Sequence, residues 1–189
     1  VVMPRIRRDK DVGRLPLLPY SAMAVTSIIW SAYGLVAGHP AVMCTNAIST
    51  SLGLHYWYVF RRHCPPGADW LPYSMATHEA VLLTTMAASG AAVMLLPYAT
   101  CASLLGPIAD VATIIMFGGP LAATFTVLKE KSTRSMPFGF TLAINVNCNC
   151  WFFYAYFVLD DPFIYMADAA GILLSTIQLS LFWRFGIYR

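Results

Sequence analysis

Two places in this chain pair a flat indole with a short polar side chain at matched spacing. Trp30 is followed by Pro40 and Asn46, and Trp151 by Pro162 and Asp168. Asn46 and Asp168 each stand six residues beyond their proline, about 9 Å of helical rise. If their helices cross a bilayer, that depth lies in hydrocarbon, where a polar group needs a partner or a wet cavity. An amide both donates and accepts, so position alone leaves Asn46 free to meet a hydroxylated solute or to join two helices. An amide is also neutral at every pH, whereas a carboxylate in low-dielectric surroundings is costly when charged and tends to hold a proton. No Gly-rich phosphate loop, nucleophile elbow or paired catalytic carboxylates accompany these residues. His78-Glu79 has two letters of a zinc helix but no second His at i+4, and the five cysteines lack Cys-x-x-Cys spacing. Neither a metal centre, a cofactor nor a disulfide framework is expected.

The elements that carry these residues follow from composition and charge. Of 189 residues 58% are apolar and only 11% charged, against about 45–50% and 25% in a soluble domain. Lipid is the solvent such a chain requires. The small net charge of +3 offers no nucleic-acid footprint. The twelve Lys and Arg residues cluster at Arg5 to Arg14, Arg61-Arg62, Lys129 to Arg134, and Arg184 with Arg189. Residues 15–60, 63–128 and 135–183 lie between them without a single cation, each with room for two spans of about 20 residues. With every cluster on the cytoplasmic side, the spacing predicts spans at 16–37, 41–60, 74–97, 105–128, 137–158 and 163–184. The outer turns fall at Gly38-His39-Pro40, near Thr100 to Gly106, and at Asp160-Asp161-Pro162. Residues 1–8 read as the cytoplasmic end of a seventh helix, otherwise missing.

The chain also repeats itself. Arg14, Pro19, Trp30-Ser31-Ala32-Tyr33, Pro40, Asn46 and Arg61 are matched in order by Arg134, Pro137, Trp151-Phe152-Phe153-Tyr154, Pro162, Asp168 and Arg184. Arg to Trp is 16 residues in one and 17 in the other; Trp to Pro is 10 and 11. This divides the chain into a first triple-helix repeat (1–62), a loop with a linker helix (63–98) and a second repeat (99–189). An odd linker helix leaves the two repeats parallel.

Pro120-Leu121, the run Lys129-Glu130-Lys131-Ser132-Thr133-Arg134-Ser135-Met136-Pro137-Phe138, Trp151-Phe152-Phe153-Tyr154 and Asp161-Pro162-Phe163-Ile164 together resemble the SWEET (saliva-type) sugar transporters. Leu17-Leu18-Pro19-Tyr20, Trp30-Ser31-Ala32-Tyr33-Gly34 and Thr45-Asn46-Ala47 match the same pattern in the first repeat. The resemblance implies an all-α membrane protein of 3+1+3 helices with the first truncated. It implies facilitated, bidirectional movement of mono- or disaccharides by alternating access, and a homo-oligomer in the plasma membrane rather than the Golgi. Trp30, Asn46, Trp151 and Asp168 would face the cavity, and Pro4, Pro19, Pro120 and Pro137 would act as hinges.

The side chains suit that role. Indoles stack on the C–H faces of a sugar while an amide meets its hydroxyls. Asn147, one turn before Trp151, shares its face. Tyr33, Tyr154 and Asp161, near the outer ends, are gate candidates or interface residues. Pro120, well inside a span, reads as a kink; Pro19 and Pro137, near helix starts, fit a first turn equally. Gly118-Gly119 before it would allow both bending and close helix approach. Asp168 stands where the resemblance expects Asn. Protonated, it would mimic an amide; titrating, it would couple solute to protons, as in a PQ-loop transporter. Pro19-Tyr20 and Pro137-Phe138 stand where that group would show Pro-Gln. A receptor is disfavoured by the lack of Asp-Arg-Tyr and Asn-Pro-x-x-Tyr, and an enzyme by the lack of a reactive constellation.

Overall fold

A computed structural model of the chain describes residues 2–13, 15, 17–65 and 73–188. Arg14, the first residue of the 16–37 span and residues 66–72 of the loop fall outside them. The described residues are all-α: α1 Val2–Asp9, α2 Leu18–Val36, α3 Pro40–His63, α4 Met75–Leu95, α5 Tyr98–Met116, α6 Gly118–Glu130, α7 Phe138–Tyr154 and α8 Pro162–Phe185. A 3-10 turn, Thr133–Ser135, precedes α7, and a π-helical turn, Ala155–Leu159, extends it. Among the described residues four segments are long and apolar enough to cross a membrane: Met75–Leu95, Tyr98–Glu130, Phe138–Leu159 and Pro162–Phe185. α2 and α3 have the length, 19 and 24 residues, with more hydroxyl and amide side chains along them.

Helix starts are written in local chemistry. Pro40 and Pro162 open α3 and α8, where the missing N–H costs no helical bond. Ser74 caps α4 by accepting from Thr77 N at 3.1 Å. Two outer turns lie where the spacing put them, with Gly38 and Asp160 in the left-handed region at φ +75° and +53°. The third does not. Residues 100–106 are helical, and the turn is Leu96-Pro97, one residue before α5. Steric conflict with a following proline drives Leu96 to φ −103°, ψ 149°, which ends α4. Pro107, just past the expected turn, sits inside α5. The predicted 105–128 span therefore begins at Tyr98 and is interrupted at Phe117.

The chain divides into two compact units, Val1–Ala109 and Asp110–Arg189. In the first, α2 lies along α3, and Met3 and Ile6 of α1 join Val12, Leu17, Val59 and Phe60 in a sealed cluster. The linker helix α4 packs on α2 through Leu82 against Ala24 and Ile28. His78 and Ser21, both buried, meet at 2.9 Å beside that contact. In the second unit α7 lies along α8, and Val127 and Met136 close on Leu181 and Phe182.

Candidate functional site

In the first unit α2 turns Trp30 and Tyr33 inward, at 8% and 3% exposure, one helical turn apart. Their rings meet edge to face, centroids 5.5 Å apart at 89°. Asn46, half-buried on α3, donates from Nδ2 to the Val42 carbonyl of its own helix at 2.9 Å. Gly34 and Gly53 let α2 and α3 approach closely. A Cβ on Gly34 would sit 2.6 Å from the Met43 nitrogen, and one on Gly53 2.9 Å from the Ala24 Cβ.

The second unit rebuilds the same frame. Trp151 and Tyr154 on α7 also meet edge to face, at 5.9 Å and 73°. Asp168, on α8, is half-buried, and Cys148 of α7, three residues before Trp151, is buried against Gly171 of the same helix as Asp168. Asn147 is exposed on the surface of its unit. Asp161, 5% exposed, caps α8 by accepting from Phe163 N at 3.1 Å.

The turn after each Trp is closed alike. The residue before the turn proline donates its N–H to the residue four beyond Trp: His39 to Gly34 at 2.8 Å, Asp161 to Ala155 at 3.2 Å. The second loop holds one more residue, and the π-helical turn is where it sits. That accounts for the one-residue slip between Trp and Pro in the two repeats.

Several polar residues escaped the sequence reading. Asn145 Nδ2 reaches across from α7 to Ser175 Oγ at 3.0 Å and Thr176 Oγ1 at 3.2 Å, and Asn149 Nδ2 donates to the Asn145 carbonyl at 2.8 Å. Gln178 Nε2 donates to the Pro120 carbonyl at 2.8 Å and to Thr124 Oγ1 at 3.0 Å. The repeat carries no signal for Asn145, since its counterpart six residues before Trp30 is Ala24.

The candidate hinge prolines fall at helix boundaries. Pro4 lies in the first turn of α1, Pro19 is the second residue of α2, and Pro137 directly precedes α7. Pro120 is the third residue of α6, just past the interruption at Phe117. No neighbour among the described residues lies within 4 Å of where Cβ atoms on Gly118 and Gly119 would be. Their expected use for close helix approach is not observed among the described residues.

A family model described as "Sugar efflux transporter for intercellular exchange" matches residues 1–68 and 103–188. The "Sugar transporter SWEET1" of Rattus norvegicus is 30% identical over 190 residues, covering 95% of this chain and 80% of the rat protein. The "Bidirectional sugar transporter SWEET8" of Arabidopsis thaliana is 27% identical over 192 residues, covering 96% and 77%. A solved structure of a eukaryotic SWEET transporter superposes with a TM-score of 0.84 at 25% identity, covering 96% of this chain and 85% of that one. The unmatched stretch between residues 68 and 103 carries α4.

Proposed function

This chain belongs to the SWEET family of sugar transporters, and from that premise we propose that it moves mono- or disaccharides passively and in both directions by alternating access. One observation carries the reading. Each half holds an indole set edge-on to a tyrosine one turn on, with a short polar side chain six residues inside the paired helix. Indole faces and amide or carboxyl groups are the pairing a pyranose needs if it is to be held weakly and released. Trp30, Asn46, Trp151, Asp168 and Asn147 are the sugar contacts in this reading. Pro4, Pro19, Pro120 and Pro137 are the points where helices bend, and Tyr33, Tyr154 and Asp161 control the outer end. Two triple-helix repeats joined by α4, assembled as a homo-oligomer in the plasma membrane, complete it.

The test is uptake of labelled glucose and sucrose into transport-deficient cells, at two pH values, with and without a protonophore. Passive transport predicts uptake indifferent to the protonophore. Trp151→Ala and Asn46→Ala should each remove uptake with surface expression intact; normal uptake in both would reject this site. A second reading is favoured by Asp168, where the pattern expects Asn: proton-coupled movement of a small solute, as in PQ-loop transporters. Collapse of uptake on adding the protonophore would select it.

A further inference from the structure

Gln178 is an amide buried to 3% exposure about two thirds of the way along an apolar helix. A polar side chain at such depth persists only with a partner, and many such contacts merely join helices. Its target separates this one from the rest. Proline at 120 has no N–H, so the Met116 carbonyl loses the donor that would continue the helix. The chain breaks at Phe117 and resumes as α6, and the carbonyl that Gln178 grips is that of Pro120 itself. Thr124 Oγ1 donates to the same carbonyl at 2.9 Å, closing a triangle with Gln178.

We propose that Gln178 is a positioning residue for transport: it pins the first turn below the Pro120 break to α8, so α6 and α8 move as one piece while the chain bends at 117–119. This rests on the alternating-access reading above. Everything from the clasp to the end of α8 is held at further points. Val127 packs with Leu181 and Phe182. Thr133 Oγ1 donates to the Gly186 carbonyl at 2.8 Å and accepts from Tyr188 N at 3.1 Å. Arg134 lies 5.7 Å over the Tyr188 ring. Above the clasp, Gly118 and Gly119 stand in open space among the described residues. Phe117 N still donates to the Thr113 and Ile114 carbonyls and its ring lies against Gly171 of α8, so the two glycines are the unpacked stretch in which the bend falls.

The experiment reads amide hydrogen exchange and sugar uptake on the full chain carrying Gln178→Met, which keeps the side chain's length and removes both donors. Losing a buried hydrogen bond should raise exchange across residues 118–126 about tenfold, with 98–113 unchanged. Maximal uptake should fall about fivefold with KM within about twofold, because the sugar contacts are untouched. A purely structural role would instead raise exchange throughout the unit without separating rate from KM. Unchanged exchange at 118–126, or an unchanged maximal rate, overturns the proposal. If Gln178→Met does not reach the membrane folded, Thr124→Val removes one arm of the triangle. It should give a smaller change confined to the same residues, and the absence of that local change also overturns the proposal. A wild-type chain that moves no sugar would sink the transport reading instead, while the exchange pattern still reports whether the clasp exists.

Discussion

Trp30 with Tyr33 and Trp151 with Tyr154 hold the same edge-on geometry, yet the helix pairs that carry them are joined by different chemistry. Where α2 crosses α3, Gly53 rests against Ala24 with no polar atom between them. At the equivalent crossing, six residues before the Trp and thirteen beyond the turn proline, α7 and α8 present Asn145 and Ser175, hydrogen-bonded at 3.0 Å. Ser27 and Asn46 in the first half are answered by Cys148 and Asp168 in the second. At this crossing the first pair meets at Gly53 and Ala24, and the second is bridged by polar side chains. A duplicated frame thus keeps the spacing that sets helix direction, while the chemistry at the crossing drifts between two solutions. Backbones can meet directly, or polar side chains can bridge the crossing.

The sharpest break of that comparison uses Gly34 and its counterpart Ala155, each four residues beyond the Trp. Gly34→Val would force a side chain against the Met43 backbone and should cost about 3 kcal/mol or more. Ala155→Gly, where a methyl is already housed, should cost only about 1 kcal/mol. Thermal unfolding in detergent reads both, and equal losses would mean the halves pack alike after all. Smaller effects follow at the polar crossing. Asn145→Ala and Ser175→Ala should each cost about 1 kcal/mol, and their double variant should fall short of the sum by about 0.6 kcal/mol. Full additivity would show that the Asn145–Ser175 bond bears no weight. The smallest change belongs to Asp168→Asn, which restores the amide found at Asn46. Uptake should stay within about twofold, since an amide offers the same donor and acceptor as a protonated acid, and should differ less between pH 5.5 and 7.5. A tenfold loss would make the carboxyl itself part of the transport step.

How legible this was depended on how far apart the interacting residues lie. Six helices were readable because cation-free gaps and turn prolines are local signals, and α3 and α8 begin one residue from the expected position. The turn placed at Thr100 to Gly106 was wrong because Gly106-Pro107 is as good a breaker by composition as Leu96-Pro97. Only the extended Leu96 backbone decides between them. Trp30, Asn46, Trp151 and Asp168 were visible through the repeat. Gln178 was not. A lone amide in an apolar run carries no periodic signal, and its partner lies 58 residues away in sequence. Asn147 could be placed on the face of Trp151 by helical angle, but Asn145 escaped because its use depends on what α8 presents to it.

From Tyr98 to Glu130 the chain runs 33 residues, interrupted only at Phe117, which is about 50 Å if straight. The hydrocarbon layer is about 30 Å thick. A rod of that length must lean, buckle or push whole turns into the headgroups, and an interruption near its middle makes buckling the easiest of the three. The thickness of the host lipid therefore becomes an input to this protein's posture. If the segment buckles at Phe117, a thicker bilayer would oppose the bend and a thinner one would favour it.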